Sequence, residues 1–334
     1  MSNRKIFFIL MIFLFALAAV FFLIVNPFGE RKESKIFHVG LLQMASTVNA
    51  NIEGFKAGME ELGYEEGINI LYDYKNAEGD MDLTKKYAKE IVAKNPDLIF
   101  TNTSPATQAI KDETASKNIP VVFSMVADPV GAGFVASIQS SGNNLCGTSC
   151  AYIDIAPKRL EFLKEAFPGI KKVLVFYRPE DKSGAPATEA IKKAGQKLGI
   201  KIIDKPISNS DEIKSVLEAL APGDVDALMD PADSMVTANV DSLVMASRRL
   251  KIPLIMMSDL EAEKGATITY GVDYSDLGKQ SAYIADKILK GAEPAEIPIE
   301  MPRKFRIVMN LKVASEIGLE ISDDAIIRAS RKID

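Results

Sequence analysis

Short apolar runs rich in β-branched residues alternate along the chain with stretches in which apolar residues recur at helical spacing. In one such stretch Leu83, Tyr87, Ala88 and Ile91 fall on the same face of a helix. The strand-like runs cover residues 36–42, 68–72, 97–101, 120–123, 172–177, 200–204, 225–229, 253–257, 266–272 and 305–309. The helix-like stretches cover residues 48–63, 83–94, 106–117, 156–167, 186–198, 211–220, 234–249, 275–290 and 311–317. This alternation predicts an α/β fold of doubly wound parallel sheets covered on both faces.

The alternation stops at Pro168-Gly169 and then restarts, and a chain of 334 residues exceeds one ordinary domain. Two similar lobes are therefore expected, and the last elements of the chain could cross back between them. We predict lobe 1 in residues 36–168 and 272–297, and lobe 2 in residues 169–271 and 298–334, joined by a crossing hinge.

An apolar run of 20 residues, 6–25, precedes the predicted lobes and is long enough to span a bilayer as a helix. Arg4 and Lys5 precede the run, which predicts a cytoplasmic N-terminus and lobes outside the cytoplasmic membrane. A cleaved signal peptide is the alternative, since residues 16–18 match a small-x-small cleavage site. We favour an uncleaved transmembrane anchor in residues 1–25, followed by a polar linker in residues 26–35.

Composition excludes several classes of protein. An apolar content of 47% indicates a large core, and a net charge of −5 without a long basic run argues against a nucleic-acid partner. One histidine and two cysteines leave little material for a metal site, and no metal or other cofactor is expected. If Cys146 and Cys150 lie on one extended strand, they are about 13 Å apart and too far to pair. A turn at Gly147 would be needed for a disulfide, so two buried free thiols are favoured.

The sequence offers no catalytic constellation. It contains no Gly-x-Ser-x-Gly elbow and no phosphate-binding loop. His38, the only histidine, falls inside a predicted strand, so serine–histidine chemistry has no base in a suitable place. We therefore expect a protein that is not an enzyme.

Polar residues follow the predicted strands, where ligands bind in open parallel sheets. In the stretch LIFTNTSPATQAIKDET, residues 98–114, an apolar strand gives way to Thr103, Ser104 and Pro105 and then to a helix. Ser104 could simply cap that helix, or the helix N-terminus could bind an anion. Carboxylates such as Asp230 and Asp233 follow the strands of the second lobe, which suits an ammonium group. The pair of lobes thus predicts a zwitterionic ligand between them.

Several motifs also resemble one known family. The stretch PVVFSMVADPVGAGFVASIQSSGNNLCGTS, residues 120–149, is similar to the "TDPVGAGLV…PGGNVTG" pattern of the TrpX-like substrate-binding proteins of ABC transporters. The motifs NTSPATQ, DPADSM, YGVDYSDLGKQSA and RIVMNLKVASEIGLEI follow the same family at the right order and spacing. The resemblance implies a type I periplasmic-binding-protein fold that delivers an amino acid, notably an aromatic one, to an ABC permease and its ATPase.

The resemblance also implies which residues bind the ligand. The carboxylate would be held by the side chains of Ser46, Thr103 and Ser104 and by the amides of Ala106 and Thr107. Asp233 would hold the ammonium group, while Asp128 and Asp273 match family positions near the cleft and hinge. This chain departs from many relatives in lacking a lipobox cysteine and in carrying Ala127 before Asp128-Pro129. The expected ligand is a small apolar or aromatic amino acid.

Some alternatives stay open at this level. Asp233 could cap the following helix, as could Asp230, and Asp128-Pro129 could be only a turn. Aromatic residues near strand ends could stack on a ligand or belong to the core; these are Phe123, Tyr177, Tyr270 and Tyr274. A membrane-anchored receptor that signals to a partner protein is the alternative to a transport component.

Overall fold

The computed structural model describes Met11 and residues 35–334. The predicted anchor or signal segment in residues 1–25 and the linker in residues 26–35 lie outside the described residues, apart from Met11 and Lys35. Among the helices that are described, none is both long and apolar enough to cross a membrane.

The first half of the chain forms a five-stranded, entirely parallel sheet in the order β2-β1-β3-β4-β5. Its strands are β1 (Phe37–Gln43), β2 (Ile70–Asn76), β3 (Leu98–Asn102), β4 (Val121–Val126) and β5 (Leu145–Ser149). The helices between them are α1 (Asn49–Glu61), α2 (Met81–Ala93) and α3 (Ser104–Thr114). A short 3-10 helix, Ser46–Val48, precedes α1.

The second sheet has seven strands in the order β12-β11-β10-β9-β8-β6-β7 and is parallel except between β10 and β11. Its strands are β6 (Lys172–Tyr177), β7 (Lys201–Pro206), β8 (Ala227–Met229), β9 (Leu254–Met256), β10 (Ile268–Val272), β11 (Phe305–Asn310) and β12 (Arg331–Ile333). The helices of this half are α4 (Tyr152–Ala166), α5 (Gly184–Leu198), α6 (Ser210–Ala219), α7 (Ser234–Ala238), α8 (Val240–Leu250), α9 (Asp259–Lys264), α10 (Tyr274–Leu289), α11 (Leu311–Glu316) and α12 (Asp323–Arg328). A second 3-10 helix, Pro294–Glu296, follows α10.

Successive residues of the central strands enter cores on opposite faces of their sheet. In β6, Val173 and Val175 pack in one core with residues of α4 and α5, while Leu174 and Phe176 pack in another with residues of α6 and α8. A strand buried on both faces reads as a continuous apolar run, which is what the sequence shows. The predicted α/β fold with parallel sheets is confirmed.

The crossing between the two sheets lies earlier than the sequence predicted. Pro168-Gly169 was expected to separate the lobes, which placed the preceding helix in lobe 1. In the structure, Leu160 and Leu163 of α4 pack in the core of the second sheet. The chain therefore leaves the first sheet at Ser149 and enters the second with α4, and Pro168-Gly169 ends this helix without dividing the lobes.

Helix α10 packs closely against α1 on the first sheet, although it follows β10 of the second sheet in the chain. Glycines allow this approach: a Cβ atom on Gly54 would lie 2.1 Å from the carbonyl oxygen of Ser275. A Cβ atom on Gly278 would lie 2.1 Å from the carbonyl oxygen of Asn51. The two helix backbones thus touch at positions where no larger residue fits.

We predict that Gly54→Ala destabilises the protein despite the better helix propensity of alanine. The added methyl group must push α10 away, and overpacking of this kind costs about 1–3 kcal/mol. Gly169→Ala is the control, because nothing lies within 4 Å of a Cβ atom there and its φ is not in the left-handed region. Denaturant unfolding of both variants checks the prediction, which is contradicted if the two free energies of unfolding agree.

Candidate functional site

A cleft of about 970 Å³ lies at the carboxyl ends of both sheets. Residues after β3 and β4 line one wall, and residues after β6, β8 and β9 line the other. The wall residues with apolar side chains include Met125, Phe134, Val240, Met257 and Leu260. The volume falls within the range of pockets for small molecules, about 300–1,000 Å³.

The N-terminus of α3 forms part of the first wall. Thr103 and Ser104 line the cleft, as predicted from the sequence, and Pro105 has no N–H to satisfy. The hydroxyl oxygen Oγ1 of Thr103 is buried and has no hydrogen-bond partner among the described residues. The first turn of a helix leaves its amides without intrahelical partners, so the amide of Ser104 is available to a ligand, whereas Ala106 has no exposed surface and its amide does not reach the cleft.

Thr107 does not share this availability. Its backbone N–H donates to the carbonyl oxygen of Thr103 at 3.1 Å, and its hydroxyl donates to the same oxygen at 2.8 Å. The side chains of Ala106 and Thr107 are also fully buried. The amide predicted for Thr107 is therefore engaged within the helix, since it is the first amide that reaches the N-cap carbonyl.

Three of the seven non-glycine residues with positive φ in the described part of the chain line the cleft. Thr103, Met125 and Ala232 line it and have φ values of 68°, 57° and 77°, in the left-handed region that side chains disfavour. Each such residue costs about 1–3 kcal/mol and persists only where the surrounding structure imposes it. Strain of this kind is found preferentially at binding and catalytic sites.

Asp233 lies behind the cleft surface, not on it. Its side chain is fully buried and caps α7 by accepting hydrogen bonds from the amides of Met235 and Val236. It also accepts hydrogen bonds from the backbone N–H of Arg178 at 2.8 Å and from Nε of Arg178 at 3.1 Å. Both carboxylate oxygens are thus engaged, and the predicted contact of Asp233 with a ligand ammonium is not available in this conformation.

The remaining predicted residues divide between the cleft and its surroundings. Asp128 lines the cleft, and its Oδ1 accepts a hydrogen bond from the amide of Gly131 at 2.7 Å. Ser46 instead donates to the carboxylate of Glu78 at the surface. Asp273 caps α10, and its Oδ2 lies 3.7 Å from Nη1 of Arg306. Thr103, Ser104 and Asp128 are thus the predicted side chains that meet at the cleft.

The cleft also contains residues that the sequence did not single out as site residues. Arg178 lines it, held by Asp233 and by hydrogen bonds from Nη2 to Asp181 and to Ser234. Tyr152 lines it as the first residue of α4, and its hydroxyl lies 3.1 Å from that of Tyr274. Tyr274 was one of four candidate aromatics; the other three do not line the cleft. If the sequence had indicated that the chain crosses between the lobes before α4, Tyr152 would have been recognised as a candidate cleft residue.

Two charged residues are buried beneath this part of the cleft. Arg159 is fully buried, and its Nη1 donates to the carbonyl oxygen of Asp230 at 2.9 Å. The Asp230 carboxylate accepts hydrogen bonds from Thr237 and from the amide of Ala232. Burial raises the pKa of Asp230 to about 6, although the Thr237 hydrogen bond and the Arg159 charge oppose the increase.

The described residues provide neither a metal-binding cluster nor a reactive thiol. Within residues 35–334, no group of three or more histidine, cysteine, aspartate or glutamate side chains could hold a metal ion. Cys146 and Cys150 are buried free thiols, as their spacing on an extended strand favoured. Burial raises the pKa of each to about 12, which leaves them protonated and unreactive at neutral pH.

We predict that Asp230 makes stability fall as pH rises from about 4 to 7. Its pKa of about 6 in the folded protein exceeds the ordinary value of 3.8, so the folded state binds more protons in this window. The effect is on the order of 2–3 kcal/mol. Asp230→Asn should remove it, so the free energy of unfolding of the parent should drop relative to that of the variant between pH 4 and pH 7. A constant difference between the two would contradict the prediction.

The chain is similar to several known proteins. A family model described as ABC transporter substrate binding protein matches residues 39–333. A tyrosine-binding protein of Clostridioides difficile (strain R20291) is 30% identical over 285 residues, which cover 85% of this chain and 81% of that protein. An ABC domain from Streptococcus pneumonia solved in complex with L-Trp superposes with a TM-score of 0.76 at 26% identity, over 90% of this chain and 100% of that one. A ligand-free, open substrate-binding protein with adhesive properties from Clostridium difficile gives a TM-score of 0.76 at 29% identity, over the same shares. The chain belongs to the family of ABC transporter substrate-binding proteins.

Proposed function

We propose that the protein is the extracytoplasmic substrate-binding component of an ABC importer and that its ligand is an apolar or aromatic amino acid. The observation that carries the proposal is the first turn of α3. It brings the amide and hydroxyl of Ser104 and the unpartnered Oγ1 of Thr103 to the wall of a cleft of small-molecule size. Relatives described as binding tyrosine and L-Trp support the same ligand class.

The ligand carboxylate is assigned to the N-terminus of α3. The N–H groups of a first turn point along the helix axis towards its N-terminus, which lines the cleft here, and the helix dipole favours an anion at that end by about 0.3–1 kcal/mol. Ser104 adds a hydroxyl donor, and Thr103 adds one whose oxygen has no other partner among residues 35–334.

The ligand ammonium is assigned to Asp128 in place of Asp233. Asp128 lines the cleft and uses Oδ1 to hold its own turn, so Oδ2 can accept a hydrogen bond from the ligand. Asp233 is committed to Arg178 and to α7 and acts on the ligand only by fixing that arginine. The apolar residues of the cleft walls, such as Phe134 and Met257, would then surround the ligand side chain.

Calorimetric titration of the purified protein with each of the twenty amino acids tests the ligand assignment. An aromatic or large apolar amino acid should bind, and Asp128→Asn or Ser104→Ala should weaken its binding by about ten- to a hundred-fold, the range for hydrogen bonds to charged groups. Asp324→Asn is the control, because Asp324 is exposed on α12, away from the cleft. Absence of binding by any amino acid would refute the ligand class, and unchanged affinity in both variants would refute the assigned contacts.

The proposed location follows from the family and from the apolar run in residues 6–25. The lobes would lie outside the cytoplasmic membrane, anchored by that run, and would deliver ligand to an ABC permease and ATPase. Cell fractionation should find the protein in the membrane fraction, with the lobes cleaved by protease added from outside the cytoplasmic membrane. Recovery of a soluble protein beginning near Ala19 would instead support the cleaved signal peptide.

A further inference from the structure

Arg159 is a fully buried cation whose hydrogen bonds are incomplete. One nitrogen, Nη1, donates to the carbonyl oxygen of Asp230. The other two, Nε and Nη2, have no partner within the described part of the chain. Buried donors that remain unpaired cost about 1–3 kcal/mol and more when they carry charge. A cation left in this state inside a binding protein is therefore a candidate for a role in ligand recognition.

The surroundings of Arg159 connect it to the cleft. Arg159 lies seven residues after Tyr152 on α4, so both fall on the same face of this helix, and its Nη1 contacts the carbonyl oxygen of Asp230, two residues before Ala232 of the cleft wall. Asp230 does not complete the hydrogen bonds of the guanidinium, because its oxygens are held by Thr237 and by the amides of Ala232 and Asp233. The Nε and Nη2 atoms of Arg159, which have no partner among the described residues, are therefore assigned to the region beneath Tyr152 and Tyr274, the tyrosine pair.

The tyrosine pair is the surface that a ligand meets in this region. The hydroxyls of Tyr152 and Tyr274 lie 3.1 Å apart, and the Cys150 thiol is a further partner of Tyr152. With the thiol donating to Tyr152 and Tyr152 donating to Tyr274, the O–H of Tyr274 remains for another acceptor. A cation beneath the pair attracts the hydroxyl oxygens and turns the remaining O–H away from itself. This end of the cleft therefore offers a hydrogen-bond donor to a ligand.

The charges nearby decide which acceptor fits. Asp230 and Glu261 are buried carboxylates near a single buried cation, Arg159. The guanidinium of Arg178 in the cleft wall is already paired with Asp181 and Asp233, so a further carboxylate would meet net repulsion. A neutral oxygen, such as that of a hydroxyl group, meets none. Glu261 engages only its Oε2, with the amide and hydroxyl of Ser258, so Oε1 can take the proton of the ligand hydroxyl.

We propose that Tyr152, Tyr274 and the buried Arg159 form a subsite for a neutral hydroxyl group at the far end of the ligand side chain. Tyr152 and Tyr274 contact the hydroxyl, and Arg159 acts through them as a positioning residue. The inference rests on the proposed function and narrows it to amino acids with a hydroxylated ring. It predicts discrimination between tyrosine and phenylalanine, which differ only in that group.

Calorimetric titration of the full chain with tyrosine and with phenylalanine tests the subsite. The parent should bind tyrosine at least about ten-fold more tightly, because phenylalanine leaves the subsite unpaired. Tyr152→Phe, Tyr274→Phe and Arg159→Gln should each bring this ratio towards one while affinity for phenylalanine changes little. A general loss of stability would weaken both ligands together, so the ratio separates the two effects. Tyr283→Phe, an exposed position on α10, is the matched control and should keep the parent ratio.

The outcomes are distinguishable from those of the proposed function. If neither tyrosine nor phenylalanine binds the parent, the subsite assignment is overturned, whereas the amino-acid assignment fails only if none of the twenty amino acids binds. If both bind with equal affinity, only the subsite is overturned. The parent could prefer tyrosine while Tyr152→Phe, Tyr274→Phe and Arg159→Gln all keep that preference. The hydroxyl group of the ligand would then be bound by other residues, and this assignment would be wrong.

Discussion

Two parallel sheets direct the carboxyl ends of their strands at one cleft, and this shared direction determines where everything else in the site can lie. In a parallel sheet, each crossover helix begins near the end of the strand before it, so helix N-termini gather at the same edge. Thr103, Met125 and Ala232 occupy this edge with left-handed backbone angles. The cores on both faces of each sheet supply the stability against which such strain is maintained.

Buried charge serves two different purposes around the cleft. Asp233 has all of its hydrogen-bonding capacity engaged by α7 and Arg178, so it fixes the geometry of the wall. Arg159 is equally buried but keeps donors without partners in the described residues, so it retains capacity for further interaction. Removing one partner of a buried pair leaves a charge uncompensated, which costs several kcal/mol. The same physical rule therefore makes Asp233 a structural residue and Arg159 a candidate for recognition.

The difference between local and non-local information explains which features the sequence predicted. The parallel sheets follow from the burial of strands on both faces, and the turn at Thr103 and Ser104 follows from residues that adjoin each other in the chain. The lobe of α4 was misassigned because an amphipathic helix shows that it has a buried face, but not which sheet buries it. The sequence did not show that Asp233 is engaged by Arg178, because this contact depends on the left-handed backbone of Ala232 and on a residue 55 positions away. Arg159 and Tyr152 become candidate site residues only because α4 lies beneath the cleft, which the sequence alone did not show.

The two ends of the proposed ligand would be recognised by different kinds of group, and this has a consequence for selectivity. At α3 the proposed donors include the main-chain amide of Ser104, which persists whatever side chain the first turn carries. At the tyrosine pair the proposed donor is a side-chain hydroxyl, whose loss requires only a Tyr→Phe change. A substitution at the second end would then alter which side chain is preferred without disturbing recognition of the carboxylate. The proposed arrangement would therefore separate the constant part of amino-acid recognition, carried partly by the backbone, from the variable part, carried by residues near the crossing between the lobes.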